Sequence, residues 1–203
     1  MAGIGLYGVY YSKATITSGV LTGYNGVQTM GKAIEASFEQ AEAGDNNLWA
    51  NNAIAETDGS GAQGGTLTLT LDQLKAAAQA DLFGLTQTTA TVTVSSTQVT
   101  GTGFDYDGTE TANVVGVGFI RQHQENNNRN VHEAIIFSYV SFNEPNISAQ
   151  TIGADGITWQ TPELSGTVSG AVVTGAKPWK KKFVFPSQAA AEQFITDYFA
   201  STP

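Results

Sequence analysis

Residues 65–71 read Gly-Thr-Leu-Thr-Leu-Thr-Leu, an unbroken alternation of apolar and hydroxyl side chains. A period of two has one simple solution, a half-buried strand with Leu67, Leu69 and Leu71 on one face and Thr66, Thr68 and Thr70 on the other. Leu71 also begins a second period. Leu71, Leu74, Ala78 and Leu82 recur at three- and four-residue steps, which predicts a helix over 73–83 with Leu74 and Leu82 on its buried stripe. Asp72 stands where an N-cap belongs, and Gly84 where a helix stops. A strand running straight into a helix, both apolar on one side, predicts a helix packed at the edge or end of a sheet.

The rest of the chain reads mostly as strands. Residues 4–13 are dense in aromatic and β-branched side chains, and 15–24 form a second β segment ended by Tyr24-Asn25-Gly26. Over 32–42, Ala33, Glu35, Ser37 and Glu39 fall on one side and Ile34, Ala36, Phe38 and Gln40 on the other, as in a half-exposed strand with an acidic face. Residues 44–46 turn the chain, and 47–51, with Leu48 and Trp49, are placed to pair back. Residues 52–64 then read as a polar loop longer than compact domains usually carry. Trp49 belongs either in the core or under a partner. Residues 90–100 read as a strand broken by Gly101-Thr102-Gly103. Residues 114–122 and 131–142 form the clearest hairpin, around a polar turn at 125–130. Strands at 152–159 and 163–173 flank Thr161-Pro162, and Ser187 opens a terminal helix with Ala190, Phe194, Ile195 and Tyr198 on one stripe and Glu192 as a capping signal. Without a repeat or linker, residues 1–203 read as a single domain. The fold class is mainly β with α: an antiparallel sandwich or barrel-like core, one flanking helix and a C-terminal helix.

Composition narrows the chemistry. The chain has no cysteine, so disulfides, thiolate catalysis and cysteine-ligated metals are excluded. The net charge is −9, and up to Ile120 the bases are Lys13, Lys32 and Lys75 against eleven acids; Lys177, Lys180, Lys181 and Lys182 cluster late. A surface that grips nucleic acid needs a basic stripe, and most of this chain lacks one. The opening residues lack a signal-peptide pattern, and no apolar run is long enough to span a bilayer, which predicts a soluble protein made in a cytoplasm.

Catalytic signals are weak. His123 and His132 flank the hairpin turn, where they either face each other across the two strands or lie at the surface or the hairpin edge; without a third ligand they make no metal site. Asp105-Tyr106-Asp107-Gly108 fails as a calcium loop, having Glu110 and Gly116 where Gly and Glu are required, and reads as a turn. There is no Gly-x-Ser-x-Gly, Gly-x-Gly-x-x-Gly or phosphate loop. The carboxylate pairs Asp105/Asp107 and Glu35/Glu39 read as solvated faces. We expect no enzyme, no cofactor and no metal.

The order of elements resembles the major tail (tail tube) proteins of long, non-contractile-tailed phages, especially those infecting Gram-positive bacteria. The likeness is carried by Gly5-Leu6-Tyr7-Gly8-Val9-Tyr10-Tyr11, by Leu48-Trp49-Ala50-Asn51-Asn52 (with Asn51 where the family usually has Asp), and by residues 65–71 with Leu74 and Leu82-Phe83-Gly84. It continues through Gly116-Val117-Gly118-Phe119, Ile135-Ile136-Phe137 and Phe142 to Thr161-Pro162-Glu163-Leu164-Ser165-Gly166-Thr167 and the terminal Phe194–Tyr198 helix. It spans nearly the whole chain, and its specificity lies in order and spacing.

The resemblance implies hexameric rings that stack into a hollow tube, a place in the virion tail after assembly in the host cytoplasm, and tape measure and tail terminator proteins as partners. Genomic DNA would pass through without specific binding, and no membrane would be involved. On that basis Glu35 and Glu39 are expected to face the lumen, and the 44–64 stretch, with Asp45, Asn46, Trp49, Asn52 and Asp58, to make inter-ring contacts. The alternative is a carbohydrate-binding β-sandwich module using exposed aromatics, for which Trp159 and Trp179 are candidates.

Overall fold

A computed structural model describes residues 2–41, 45–50, 53–59, 64–125, 128–152, 159–170 and 178–200. In chain order the strands are β1 (Ala2–Thr17), β2 (Val20–Tyr24), β3 (Gln28–Gly31), β4 (Ala33–Gln40), β5 (Asp45–Ala50), β6 (Ala53–Gly59) and β7 (Gly64–Leu71). Helix α1 (Ala76–Phe83) follows, then β8 (Gln87–Val94), β9 (Thr97–Phe104), β10 (Val114–Glu125), β11 (Asn128–Phe142), β12 (Glu163–Ser169), β13 (Lys180–Phe185) and helix α2 (Gln188–Ala200). The fold is mainly β, with antiparallel sheets and two helices, the second C-terminal.

Nine strands form one sheet in the order β2-β1-β10-β11-β12-β7-β4, with β3 added beside β1 and β13 beside β11. The long strand β11 divides it. Its middle, His132 to Phe137, pairs with β13 and its last three residues with β12, so β12, β7 and β4 leave as a separate leaf that packs over the β1-β10-β11 face. Between the two layers lies the larger core. Val115, Val117, Phe119, Ile135, Phe137 and Val140 come from one side, and Leu67, Leu69, Leu71, Leu164 and Val168 from the other. The Thr-Leu alternation therefore does what its period requires. Phe137 and Val140 both reach this core because β11 carries an extra residue opposite β10, between those two positions.

Helix α2 covers the opposite face of β10-β11 through Ala191, Ile195, Tyr198 and Phe199, packed on Ile120, Ala134 and Ile136. Gly116 and Gly118 allow that approach. A Cβ on Gly116 would lie 2.3 Å from the Phe199 ring, and one on Gly118 2.8 Å from Ile195. The Ser187 hydroxyl accepts from the Ala190 amide and so caps the helix, as its position suggests. Glu192 lies too far along to join the cap and accepts instead from the Gln188 amide at 2.8 Å.

Helix α1 is shorter than the spacing predicts. It starts at Ala76 behind Lys75 and has no side-chain cap. Asp72 is spent elsewhere: its Oδ1 accepts from the backbone amides of Gln73 and Lys32, both at 2.7 Å, pinning the β3–β4 corner to the end of β7. Gly84 does end the helix, at φ 68°, in the left-handed region that glycine adopts without strain. Leu82 is fully buried against the main core, as its place on the stripe predicts; Leu74, expected on the same helix, precedes it and packs, partly buried, from the segment before Lys75.

Other boundaries differ from expectation. The chain does not pause between 13 and 15: β1 runs on to Thr17 and turns at Ser18-Gly19, both at positive φ, into β2. Residues 90–100 are not one strand. Ser95 and Ser96, at φ 48° and 69°, make a two-residue turn between β8 and β9, and Gly101-Thr102-Gly103 lies inside β9. The 52–64 loop contains β6, paired with β5 in a two-stranded sheet of its own. Residues 153–158 and 171–177, in the two strands expected at 152–159 and 163–173, lie outside the described residues. Ile152 and Trp159 are exposed and outside any strand.

Candidate functional site

The leaf β4-β7-β12 has an outer face of unusual uniformity. In register across it stand Glu35, Thr70 and Glu163, then Ser37, Thr68 and Ser165, then Glu39, Thr66 and Thr167. Hydroxyls and carboxylates make up these three rows, and the three strands contain no lysine or arginine. The expected pair Glu35 and Glu39 is exposed on it, each two strand positions from Ser37. Glu163, which sequence reasoning left aside, joins them across Thr70; two strand spacings put it roughly 10 Å from Glu35. Its signal was present in the period-two pattern of 163–169, but only the pairing of β12 with β7 brings it to β4.

The face expected for β4 needs one correction. Ala33 pairs with Leu71 and Glu35 with Thr70, so a bulge at Ile34 shifts the phase. Ala33, Ala36 and Phe38 pack on the core, while Ile34 turns out to solvent at 53% exposure. Strand β4 ends the sheet, and among the described residues its only strand partner is β7. Among the described residues no strand pairs with its other edge, the arrangement that invites another strand.

The residues expected at an inter-ring contact fall on the β5–β6 hairpin: Asp45 pairs with Gly59, Asn46 with Asp58 and Trp49 with Ile54. Asn52 lies outside the described residues. A second hairpin, β8–β9, also forms its own two-stranded sheet. Residues 87–104 contain no charged residue. Ala90, Val92, Val94, Thr97, Val99 and Gly101 share one face by register, and the other is mostly threonine, with Gln98 opposite Thr93. Val92, Val94 and Val99 are 57, 57 and 50% exposed.

Of the late lysines, Lys180, Lys181 and Lys182 are already engaged, and Lys177 lies outside the described residues. Lys180 lies over the Phe38 ring at 4.5 Å and Lys181 over Tyr198 at 4.9 Å. Lys182 binds Glu133 Oε1 at 2.8 Å, while Arg121 Nη2 and His123 Nε2 meet Glu133 Oε2 at 2.7 and 3.0 Å. Burial pushes the Glu133 carboxyl upward, but its bonds to Lys182, His123 and Arg121 outweigh that and hold it down at about 2. The two histidines are buried rather than at the surface or edge. They do not face each other: His123 pairs with Val131 and His132 with Gln122, which puts them on opposite faces of the ribbon, His132 against Tyr7.

Asp105-Tyr106-Asp107-Gly108 is a turn closed on itself. Asp107 Oδ1 accepts from the Thr109 amide and hydroxyl, which lowers its pKa, and Glu110 accepts from the Asp107 and Gly108 amides. Trp179 packs against the core beside Phe38, at 5.9 Å between rings, whereas Trp159 is 81% exposed. Among the described residues, no helix is long and apolar enough to cross a membrane.

The fold and its surfaces define an antiparallel β protein with a covered core, an acidic leaf and two hairpins that each form a two-stranded sheet of their own. No protein-family model matches the chain, and no curated protein matches it.

Proposed function

We propose that the protein is a structural, self-assembling subunit: a phage tail tube protein that forms stacked hexameric rings around a conduit for DNA. The observation that carries this reading is the outer face of β4-β7-β12, hydroxyl-rich, carboxylate-bearing and free of bases, ending at β4, whose outer edge has no strand partner among the described residues. Binding to a polyanion depends on lysines and arginines that displace its counterions. A wall offering Glu35, Glu39 and Glu163 among threonines and serines gives phosphates nothing to hold, so a strand of DNA slides past it. The open edge suits such a wall, because a neighbouring subunit that continues the sheet removes the edge, and head-to-tail contacts of that kind close into rings.

The uncharged β8–β9 ribbon supports the same reading. A two-stranded hairpin with an uncovered valine face is marginal alone and stable when another surface covers it. The resemblance noted above supplies the ring number and the virion location; tape measure and terminator proteins are the corresponding partners. The test is charge reversal on the wall. Phage carrying Glu35→Lys and Glu39→Lys subunits should build normal tubes and eject DNA more slowly; normal tubes with unchanged ejection would refute the lumen assignment.

A further inference from the structure

Strand β4 is eight residues long and two-faced, with Glu35, Ser37 and Glu39 outward and Ala36 and Phe38 toward the core. A strand that extends the sheet beyond it must be about as long and must carry one polar and one apolar face. It must also bring no carboxylate beside Glu35 and Glu39, because like charges on adjacent strands repel. Among the described residues the other strands with an unpaired edge are β2, β3, β5, β6, β8, β9 and β13. Strands β2 and β3 are five and four residues long. Strand β5 carries Asp45, and β6 carries Glu56 and Asp58. The three lysines of β13 are held by Phe38, Tyr198 and Glu133. Strand β9 has the length, but Gly101 and Gly103 weaken it as a strand. Strand β8 meets every condition. It has eight residues and no charge, with Thr89, Thr91 and Thr93 on one face and Ala90, Val92 and Val94 on the other. Within its own chain the ribbon is uncovered, since residues 89–103 are all exposed.

We propose that β8 of one copy adds to the outer edge of β4 of the next, its threonines beside Ser37 and its valines on the side of Phe38; this rests on the self-assembly reading above. The joined sheet keeps one hydroxyl face and one apolar face across the boundary, and the edge of β4 is paired. Donor and acceptor surfaces differ, so the contact is head-to-tail, the kind that closes into a ring. The backbone of β8 is set up for it. Val94 and Thr97 close the two-residue turn at Ser95-Ser96, so these two exchange both amide–carbonyl bonds. Counting back by twos, Val92 and Ala90 also spend their amides on β9, whereas Thr93, Thr91 and Thr89 point theirs away from it. The hydroxyl oxygens of Thr91 and Thr100, 3.2 Å apart, fit the closer side-chain spacing of a pair without backbone bonds.

The test uses the full chain and measures assembly by sedimentation and electron microscopy. Thr91→Pro removes an outward amide and keeps the β8–β9 ladder. It should leave the thermal midpoint of dilute subunits unchanged and raise the concentration needed for assembly about tenfold or more. The chain has no cysteine, so introduced thiols report the contact directly. Copies carrying Ser37→Cys, assembled with copies carrying Thr91→Cys and treated with a short bismaleimide, should give mixed dimers. Thr91→Pro tubes at the wild-type concentration, without mixed dimers, would overturn the contact and leave the tube reading standing. If Thr91→Pro lowers the midpoint of dilute subunits, the cross-link decides: mixed dimers uphold the contact and their absence overturns it. A double variant whose two thiols join within one dilute chain would show the ribbon folding onto its own edge, and the second copy would be the wrong occupant. Wild-type protein that never assembles would remove both the contact and the tube reading.

Discussion

Glu133 shows how a buried charge is tolerated in this sheet. It is 7% exposed, yet three donors reach its two oxygens, and two of them, Arg121 and Lys182, remain nearly half exposed. Replacing it with Gln strands the donors but lets Arg121 and Lys182 regain water, so Glu133→Gln should cost about 1–3 kcal/mol in urea unfolding, less than for a fully buried pair. The pH dependence follows from its depressed pKa. Its contribution is complete above its ordinary value near 4.5 and is lost as pH falls toward about 2. The wild type should therefore lose stability over that window, and Glu133→Gln should lose less; equal slopes would rule out this role. Gly116 is the second sensitive position. Gly116→Ala drives a methyl into the buried Phe199 ring and should cost about 1–3 kcal/mol, read as a lower thermal midpoint.

At the scale of elements, the β8–β9 hairpin separates folding from assembly. Its valines touch no core, so Val92→Lys with Val99→Lys should move the stability of dilute subunits by no more than about 0.5 kcal/mol. The same pair should abolish tubes in electron micrographs; normal tubes would exclude the ribbon from the contacts. This hairpin also shows where sequence reading stops. The Thr-Leu strand, the buried Leu82 of helix α1 and the β10–β11 hairpin were legible because period and burial agree. The Ser95-Ser96 turn was not, because serine lacks the intrinsic preference for positive φ that marks Asn-Gly turns. The bulge at Ile34 was hidden for a related reason: an extra residue leaves no compositional mark, yet it puts Ala33 and Ile34 out of phase with the rest of β4. Asp72 read as a cap because local spacing shows nothing of Lys32, forty residues away, which it binds.

Over the whole molecule, charge is sorted by place. Eighteen acids face nine bases, and the late run Lys180 to Lys182 is held by Phe38, Tyr198 and Glu133. The leaf that carries Glu35, Glu39 and Glu163 is left without a base. The sequence showed Glu35 and Glu39 as one face of a strand; the third carboxylate and the open edge required the long-range order β12-β7-β4, which no local pattern encodes. The most direct measurement of the central claim is electron microscopy of the purified protein at high concentration, at a resolution that traces β4. The account predicts hollow rings or tubes whose bore is lined by the face of Glu35, Glu39 and Glu163. Particles that remain single subunits at every concentration, or a bore lined by lysine and arginine, would contradict it.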